Sequence, residues 1–219
     1  MTAIPITITA DEVAESLSRH LAMYRTKLPS YQTVMMNDLA GLWCGPHDKL
    51  LDIGGGTGVM AQLISEVMPV AHVEAVDVVD RYCDSLTIPT HVYDGYTLPF
   101  DNSSFDAATL NNVLHHVPVS VRAKLMQEIR RVVVGPVYIK DHIATSALDH
   151  GRLSLLDFIG NIPFGGMVKA DYLTQYEWNN LATAAGYCCA ETTHGDYRSG
   201  IYALIFPNRL EITMRWDPI

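Results

Sequence analysis

The sequence is poor in charge and has no cluster of basic residues. Charged residues make up 18% of its 219 positions, with 15 Lys and Arg against 24 Asp and Glu, for a net charge of −9. Phosphate backbones are gripped by cationic side chains, so no nucleic acid partner is expected. No run approaches the roughly 18 apolar residues of a membrane span, so no membrane partner is expected. Met1 to Glu15 has no basic segment followed by an apolar core, and a signal peptide is not expected. Cys44, Cys83, Cys188 and Cys189 form no C-x-x-C pair, and adjacent Cys188 and Cys189 are poorly placed for a bridge. All four read as reduced packing thiols of a cytoplasmic protein. No metal ligand set is expected. Internal repeats and low-complexity tracts are also lacking.

Hydrophobic residues account for 48% of the chain, which makes it globular and long enough for one domain with a proper core. Its centre is Leu50-Leu51-Asp52-Ile53-Gly54-Gly55-Gly56-Thr57-Gly58. A short apolar strand ends near an acid, a glycine loop follows, and a helical run begins at Val59. Glycines there let the chain turn sharply and bring bare backbone N–H groups against a ligand. The ligand of such a strand–loop–helix unit lies at the carboxyl ends of the strands. Two readings share the loop. Gly56 to Ala61 fits the G-x-G-x-x-G/A dinucleotide fingerprint, with Asp77 at the distance of a ribose acid. A nucleoside-sulfonium site fits as well.

Taken in order, the chain opens with a capping box at Thr9 to Glu12 and an amphipathic helix to about Leu28. A second helix, through Val34 to Leu42, closes at Gly45-Pro46. Tyr24, Arg25 and Tyr31 are placed to touch a ligand if these helices cross the pocket mouth. His72 to Asp77 reads as a second strand ending in an acid, and Thr90 to Asp94 as a third. Phe105 to Leu110 is a fourth strand, with Asn111-Asn112 and His115-His116 at its exit. A helix starts at Pro118. Val137 to Lys140 is a fifth strand, with Asp141-His142 at its tip.

Leu51-Asp52-Ile53-Gly54-Gly55-Gly56-Thr57-Gly58, Val76-Asp77, Asp94-Gly95, the run Leu98 to Asp106, and Val113-Leu114-His115-His116-Val117 stand in a fixed order. Together they resemble the signature of class I S-adenosylmethionine-dependent methyltransferases, over about residues 48 to 142. A dehydrogenase fingerprint explains neither the Asp94-Gly95 step nor the Leu-Pro-Phe turn. The resemblance implies an α/β, Rossmann-like three-layer sandwich with a seven-stranded, mostly parallel sheet. The strand order is 3-2-1-4-5-7-6, the last strand is antiparallel, and a helical cap precedes the sheet. It implies one domain: cap 1–46, cofactor half 47–142 and substrate half 143–219. S-adenosyl-L-methionine, leaving as S-adenosyl-L-homocysteine, would lie along Asp52, Gly54, Gly55, Gly56, Thr57 and Gly58. Its ribose would sit on Asp77 beside Val78, its adenine near Asp94 and Gly95, with Asn111 and Asn112 completing the site. One departure is the short linker Val134-Gly135-Pro136 before the fifth strand, where this family often has a longer Pro-Gly-Gly turn.

Beyond Ile143 the signature thins. Ala147 to Ile159 reads as a helix, Gly160 to Gly166 as a candidate lid, and Thr174 to Glu177 as a second capping box whose helix stops at Gly186. Tyr187 to Thr193 and Ile201 to Phe206 read as the sixth and seventh strands, with 208–216 as an extension past Pro207. Ile139-Lys140-Asp141-His142 with Asp157, Gly160-Asn161 and Pro163 also resembles a subset of bacterial small-molecule methyltransferases. A small acceptor is expected from Phe158, Phe164, Met167, Tyr172, Tyr197 and Tyr202, with Arg152, Lys169 and Arg198 as the nearby cations. Methyl transfer needs alignment first and, for a hydroxyl or ammonium acceptor, a general base. His142, oriented by Asp141, is the first candidate and His115 the second, while His116 reads as structural. The rival functions are a cofactor-binding protein that transfers no methyl or is activated by a partner, methylation of a protein or RNA target, and, behind these, a NAD-dependent dehydrogenase. The acceptor is expected to be an oxygen or nitrogen of a small, largely apolar metabolite or natural-product intermediate; the sequence does not separate these from carbon, and the oligomeric state is not legible.

Overall fold

The computed structural model describes residues 6–161 and 170–219. Among these, seven strands form one sheet: β1 (His47–Ile53), β2 (Val70–Asp77), β3 (Thr90–Val92), β4 (Ala107–Asn111), β5 (Val137–His142), β6 (Tyr187–Thr193) and β7 (Glu211–Pro218). The order is β3-β2-β1-β4-β5-β7-β6, as the sequence implies. β1 to β5 pair with one another in parallel, and β7 runs antiparallel to both β5 and β6. The central strands are buried on both faces, as in a covered parallel sheet, and are apolar except at Asp52 and Thr109: β4 buries Ala107 to Leu110 and β1 buries Leu50 to Ile53.

Alternating side chains feed two cores. Leu50, Ala107 and Tyr138 face α1 (Ala10–His20), α2 (Ser30–Leu42) and α3 (Val59–Val67). Leu51, Ala108, Val137 and Ile139 face α4 (Val119–Val132) and α6 (Gln175–Ala184). The two N-terminal helices thus share a layer with α3, and α2 packs on the β5–β7 end of the sheet. Both capping boxes form, at Thr9 with Glu12 and at Thr174 with Glu177. Gly186, at φ +78°, follows the end of α6.

Three expectations about elements change. The first helix stops at His20, because Leu21 turns extended and a 3₁₀ turn follows over Ala22–Arg25. That turn buries Tyr24, whose hydroxyl accepts from Gln32 Nε2 at 2.8 Å, and leaves Leu28 in solvent. The seventh strand is not Ile201 to Phe206. Those residues lie in α7 (Gly200–Ile205) and its C-cap, and the seventh strand is Glu211–Pro218. A continuous apolar run cannot separate helix from strand by period, whereas Ile212, Met214 and Trp216 alternate and bury. β5 continues two residues past Lys140, so Asp141 and His142 are strand residues paired with Ile212 and Glu211. Within the short linker before β5, position 135 requires glycine, because a Cβ there would collide with the Asp106 carbonyl.

α5 (Ala147–Asn161) completes the chain's helices among the described residues. The Gly160 to Gly166 lid reading falls on the last two residues of α5 and on 162–166, which lie outside the described residues. Phe164, Met167 and Lys169 lie outside them too. No described helix is long and apolar enough to cross a membrane.

Candidate functional site

β1 ends at Ile53 and the chain turns through Gly54 (φ +73°) to Gly58 (φ +79°), the N-cap of α3. A Cβ on Gly54 would stand 2.6 Å from Val113, and one on Gly58 would fall on the Leu86 side chain. Both positions therefore demand glycine for conformation and for space. At Gly56 no atom lies within 4 Å of where a Cβ would stand, so the loop is open there.

Three carboxylates stand around the turn. Asp77, buried at the end of β2, accepts from Gly56 N–H at 2.7 Å and Val79 N–H at 3.1 Å, and Arg81 stands 3.7 Å away. Asp52 is buried beneath the loop and accepts from Thr109 Oγ1 at 2.6 Å and Asn111 Nδ2 at 3.1 Å. Burial pushes its carboxyl up to about 7, against the pull of those two hydrogen bonds. Asp94 is exposed on the rim. Its Oδ1 accepts from the N–H groups of Thr97 and Tyr96 at 2.8 Å each, which lowers its pKa. Gly95 is adjacent, with the Val78 side chain 3.5 Å from where its Cβ would be. The Oδ1 of Asn111 is buried and has no partner among the described residues. Asn112, at φ +58°, accepts from Lys140 Nζ at 3.3 Å and Tyr31 hydroxyl at 3.4 Å. The fold thus gathers Asp52, Gly54 to Gly58, Asp77 and Asn111 closely, with Val78, Asp94 and Gly95 at one edge and Asn112 at the other.

Next to Asn112 lies a second, buried cluster built from the β4 exit, β5, α5 and β7. The Nδ1 of His115 is hydrogen-bonded to Asp141 Oδ1, and its Nε2 stands 3.3 Å from Asp157 Oδ2. Burial opposes a charge on His115, but the two carboxylates outweigh it and raise the imidazole to about 9. Asp141 also accepts from the N–H groups of Leu114 at 3.0 Å and His142 at 2.7 Å. Burial acts against its charge, yet His115, His142 and these N–H groups hold it down at about 2. Tyr172 donates to Asp157 at 2.5 Å and stacks on His115 with ring centroids 5.2 Å apart. The Nε2 of His142 is 3.2 Å from Glu211 Oε2, while its Nδ1 is buried with no hydrogen-bond partner among the described residues. Glu211 is the hub of this end. It takes Lys140 Nζ at 2.5 Å, Arg198 and, at 3.4 Å, the Tyr31 hydroxyl. Burial opposes its charge, but Lys140, His142 and Arg198 hold its pKa well below the ordinary range.

A cavity of about 400 Å³ opens beside Arg198, lined by Leu156, Ile159, Tyr197, Ser199, Tyr202 and Phe206. Of the described aromatic candidates that the sequence places near an acceptor, Tyr197 and Tyr202 line it, whereas Tyr172 packs on His115 and Phe158 is exposed. Tyr31 reaches the site and Tyr24 is packed away, while Arg25 is exposed. Sequence reasoning missed Glu211 and Thr109. Glu211 leaves a period-two signal, as the first of the polar alternates Glu211, Thr213, Arg215 and Asp217 in its strand, and Thr109 is the polar residue of an apolar run.

Residues 51–135 match the family model described as a methyltransferase domain. No curated protein matches the chain by sequence. Among solved structures, the chain is similar to one from the complex of the Haloferax volcanii Trm112 methyltransferase activator with a proposed methyltransferase. That likeness has TM-score 0.67 and 14% identity, and covers 96% of this chain and 99% of that one. It is also similar to geranyl diphosphate C-methyltransferase from Streptomyces coelicolor (TM-score 0.61, 15% identity, 90% and 77% covered). A third similar structure is magnesium protoporphyrin IX methyltransferase from Synechocystis (TM-score 0.60, 15% identity, 90% and 87% covered). At such identities these likenesses show the fold. That fold is the one the resemblance read from the sequence implies.

Proposed function

Starting from a chain that carries a methyltransferase domain on a class I methyltransferase fold, we propose that it moves a methyl group to a small, largely apolar acceptor. The methyl donor is S-adenosyl-L-methionine and the acceptor atom is oxygen or nitrogen. The observation that carries this reading is the donor and acceptor inventory around the glycine turn. Asp52, Asp77, Asp94 and the unpartnered Asn111 Oδ1 are all acceptors, and Arg81 is the cation beside them. That set suits a ligand rich in hydroxyls, an amine and positive charge. It suits a pyrophosphate poorly, which favours the sulfonium over the dinucleotide reading of the loop.

Gly54 to Gly58, with Thr57, would hold the cofactor against bare backbone. Asp77 beside Val78 would take its ribose, and Asp94 and Gly95 its base. Asn111 and Asn112 would close the inner end. When bound, the cofactor supplies an electrophilic methyl on a cationic sulfur. The chain must then align the acceptor and, for a hydroxyl, take up its proton. His142 suits the second task. Nε2–H donated to Glu211 fixes the tautomer and leaves the Nδ1 lone pair unpartnered. Asp141 positions the His142 backbone through its N–H and holds His115 as a charged donor. The cavity at Arg198 offers apolar walls and one cation, which supports an apolar acceptor carrying at most a single anionic group.

Calorimetry with S-adenosyl-L-methionine and S-adenosyl-L-homocysteine, then mass spectrometry of candidate acceptors, tests the reading. Binding of a nicotinamide dinucleotide in place of both sulfur compounds would overturn it. A second reading, a methyltransferase completed by a partner, is favoured by two observations. One is the structural neighbour crystallised with an activator. The other is α7, which buries none of its residues and exposes Ile201, Tyr202 and Leu204. Four cysteines without disulfides support a reducing, cytoplasmic location.

A further inference from the structure

The histidine–carboxylate cluster contains more ligating atoms than proton transfer needs. His115 Nε2, His116 Nε2 and Asp157 Oδ2 all lie within 4.8 Å of one another. His115 Nε2 is 3.3 Å and His116 Nε2 is 4.0 Å from that oxygen. Metal–ligand bonds of about 2.0–2.1 Å at the tetrahedral angle place neighbouring ligand atoms about 3.3–3.4 Å apart. One edge of such a triangle is therefore already formed, and a shift of under about 1 Å by the half-buried His116 closes a second.

The rest of the cluster has the form that supports a bound ion. His115 is 1% exposed, and its Nδ1 is committed to Asp141. That hydrogen bond turns Nε2 toward Asp157, and Nε2 has no hydrogen-bond partner among the described residues. A carboxylate bonded to the far nitrogen of an imidazole is the usual outer support of a metal-binding histidine. Tyr172 donates at 2.5 Å to the same Asp157 oxygen, Oδ2, and so fixes where that oxygen stands. Without an ion His115 carries its proton between the two carboxylates; a bound dication would displace the Nε2 proton, and two carboxylates with two neutral imidazoles then balance its charge.

We propose that His115 Nε2, His116 Nε2 and Asp157 bind a divalent first-row transition metal ion such as zinc, oriented from outside by Asp141 and Tyr172. Two imidazoles and one carboxylate leave at least one coordination position open. A hydroxyl, enol or carboxylate oxygen of the methyl acceptor is the ligand that position takes. That last element rests on the methyl-transfer reading, whereas the ion's binding does not. The histidine pair that the sequence leaves without a metal role thus gains its third ligand from α5, 41 residues beyond His116 in the numbering.

The test is titration of the chelator-stripped full chain with zinc by calorimetry, and with cobalt by visible absorption, without cofactor or acceptor. One zinc per chain is expected, and cobalt should develop ligand-field bands stronger than those of the aqueous ion. His116→Ala and Asp157→Asn should each weaken zinc by at least about 100-fold and abolish those bands, and Asp141→Asn should weaken it by about 10–100-fold. Circular dichroism checks that each variant is folded, and the cobalt spectrum of the unmodified protein stands without any variant. An aqueous cobalt spectrum with no zinc heat overturns the proposal. So does zinc retained by His116→Ala but lost from His142→Ala, which would put the ion on the other side of Asp141. Failure of methyl transfer with zinc still bound would count against the proposed function alone.

Discussion

Replacing Asp52 by Asn should change how stability depends on pH more than it changes stability itself. Asp52 is 2% exposed, and burial raises its carboxyl from 3.8 to about 7. Between these values the folded chain holds a proton that the unfolded chain has released. Its contribution is fully present below pH 4 and is lost as pH rises through 7. With 1.36 kcal/mol for each pH unit between the two pKa values, the loss is roughly 4 kcal/mol by pH 8. Urea unfolding of both proteins at pH 5 and pH 8 measures it. Because part of that loss has already occurred at pH 5, D52N should gain on the parent by about 2.7 kcal/mol between the two conditions, two pH units at 1.36 kcal/mol each. A cationic ligand reverses the preference, because it stabilises the ionised carboxylate. S-adenosyl-L-methionine should therefore bind the parent about tenfold more weakly at pH 6 than at pH 8, and bind D52N without that dependence. A stability difference between the two proteins that is equal at both pH values would refute the account of Asp52.

His142→Ala should cut turnover by about 10²–10⁴-fold, read by product formation at saturating donor, while calorimetry shows unchanged donor binding. Gly58→Ala should destabilise the chain by about 1–3 kcal/mol in urea, because the added methyl meets Leu86 at a positive φ, and should weaken donor binding as well. Lys140→Met removes one of the partners of the fully buried Glu211 and should cost about 3–5 kcal/mol by denaturant titration. The Lys140→Met, Glu211→Gln pair should recover part of that loss, since no buried carboxylate is then left short of a partner. Asp149→Asn should lower the melting temperature by a few degrees, because Asp149 accepts from both terminal nitrogens of Arg209 at 2.8 and 3.0 Å and so ties α5 to the start of β7.

The cofactor half of the fold was legible because its signals are local. A positive-φ turn needs glycine at Gly54 and Gly58, a strand end needs its polar residue at Asp77, and capping boxes need Thr9 with Glu12 and Thr174 with Glu177. Each is written within a few neighbouring residues. The far end was legible only in part. Ile201 to Phe206 carries a run whose apolar residues suit helix or strand equally, and the strand position beside β5 went to the alternating segment that buries Ile212, Met214 and Trp216.

By itself the sequence determined where the first five strands and the acids at their ends fall along the chain, because periodicity, turn chemistry and spacing act locally. Only the tertiary structure decided the polar centre. Asp141 and His142 became buried strand residues once β7 supplied Glu211 and Ile212 opposite them. Asp157 meets His115 only because α5 folds back over the β4 exit. Charged side chains tens of residues apart share one low-dielectric site there, and their protonation and pairing depend on distances that no local pattern records.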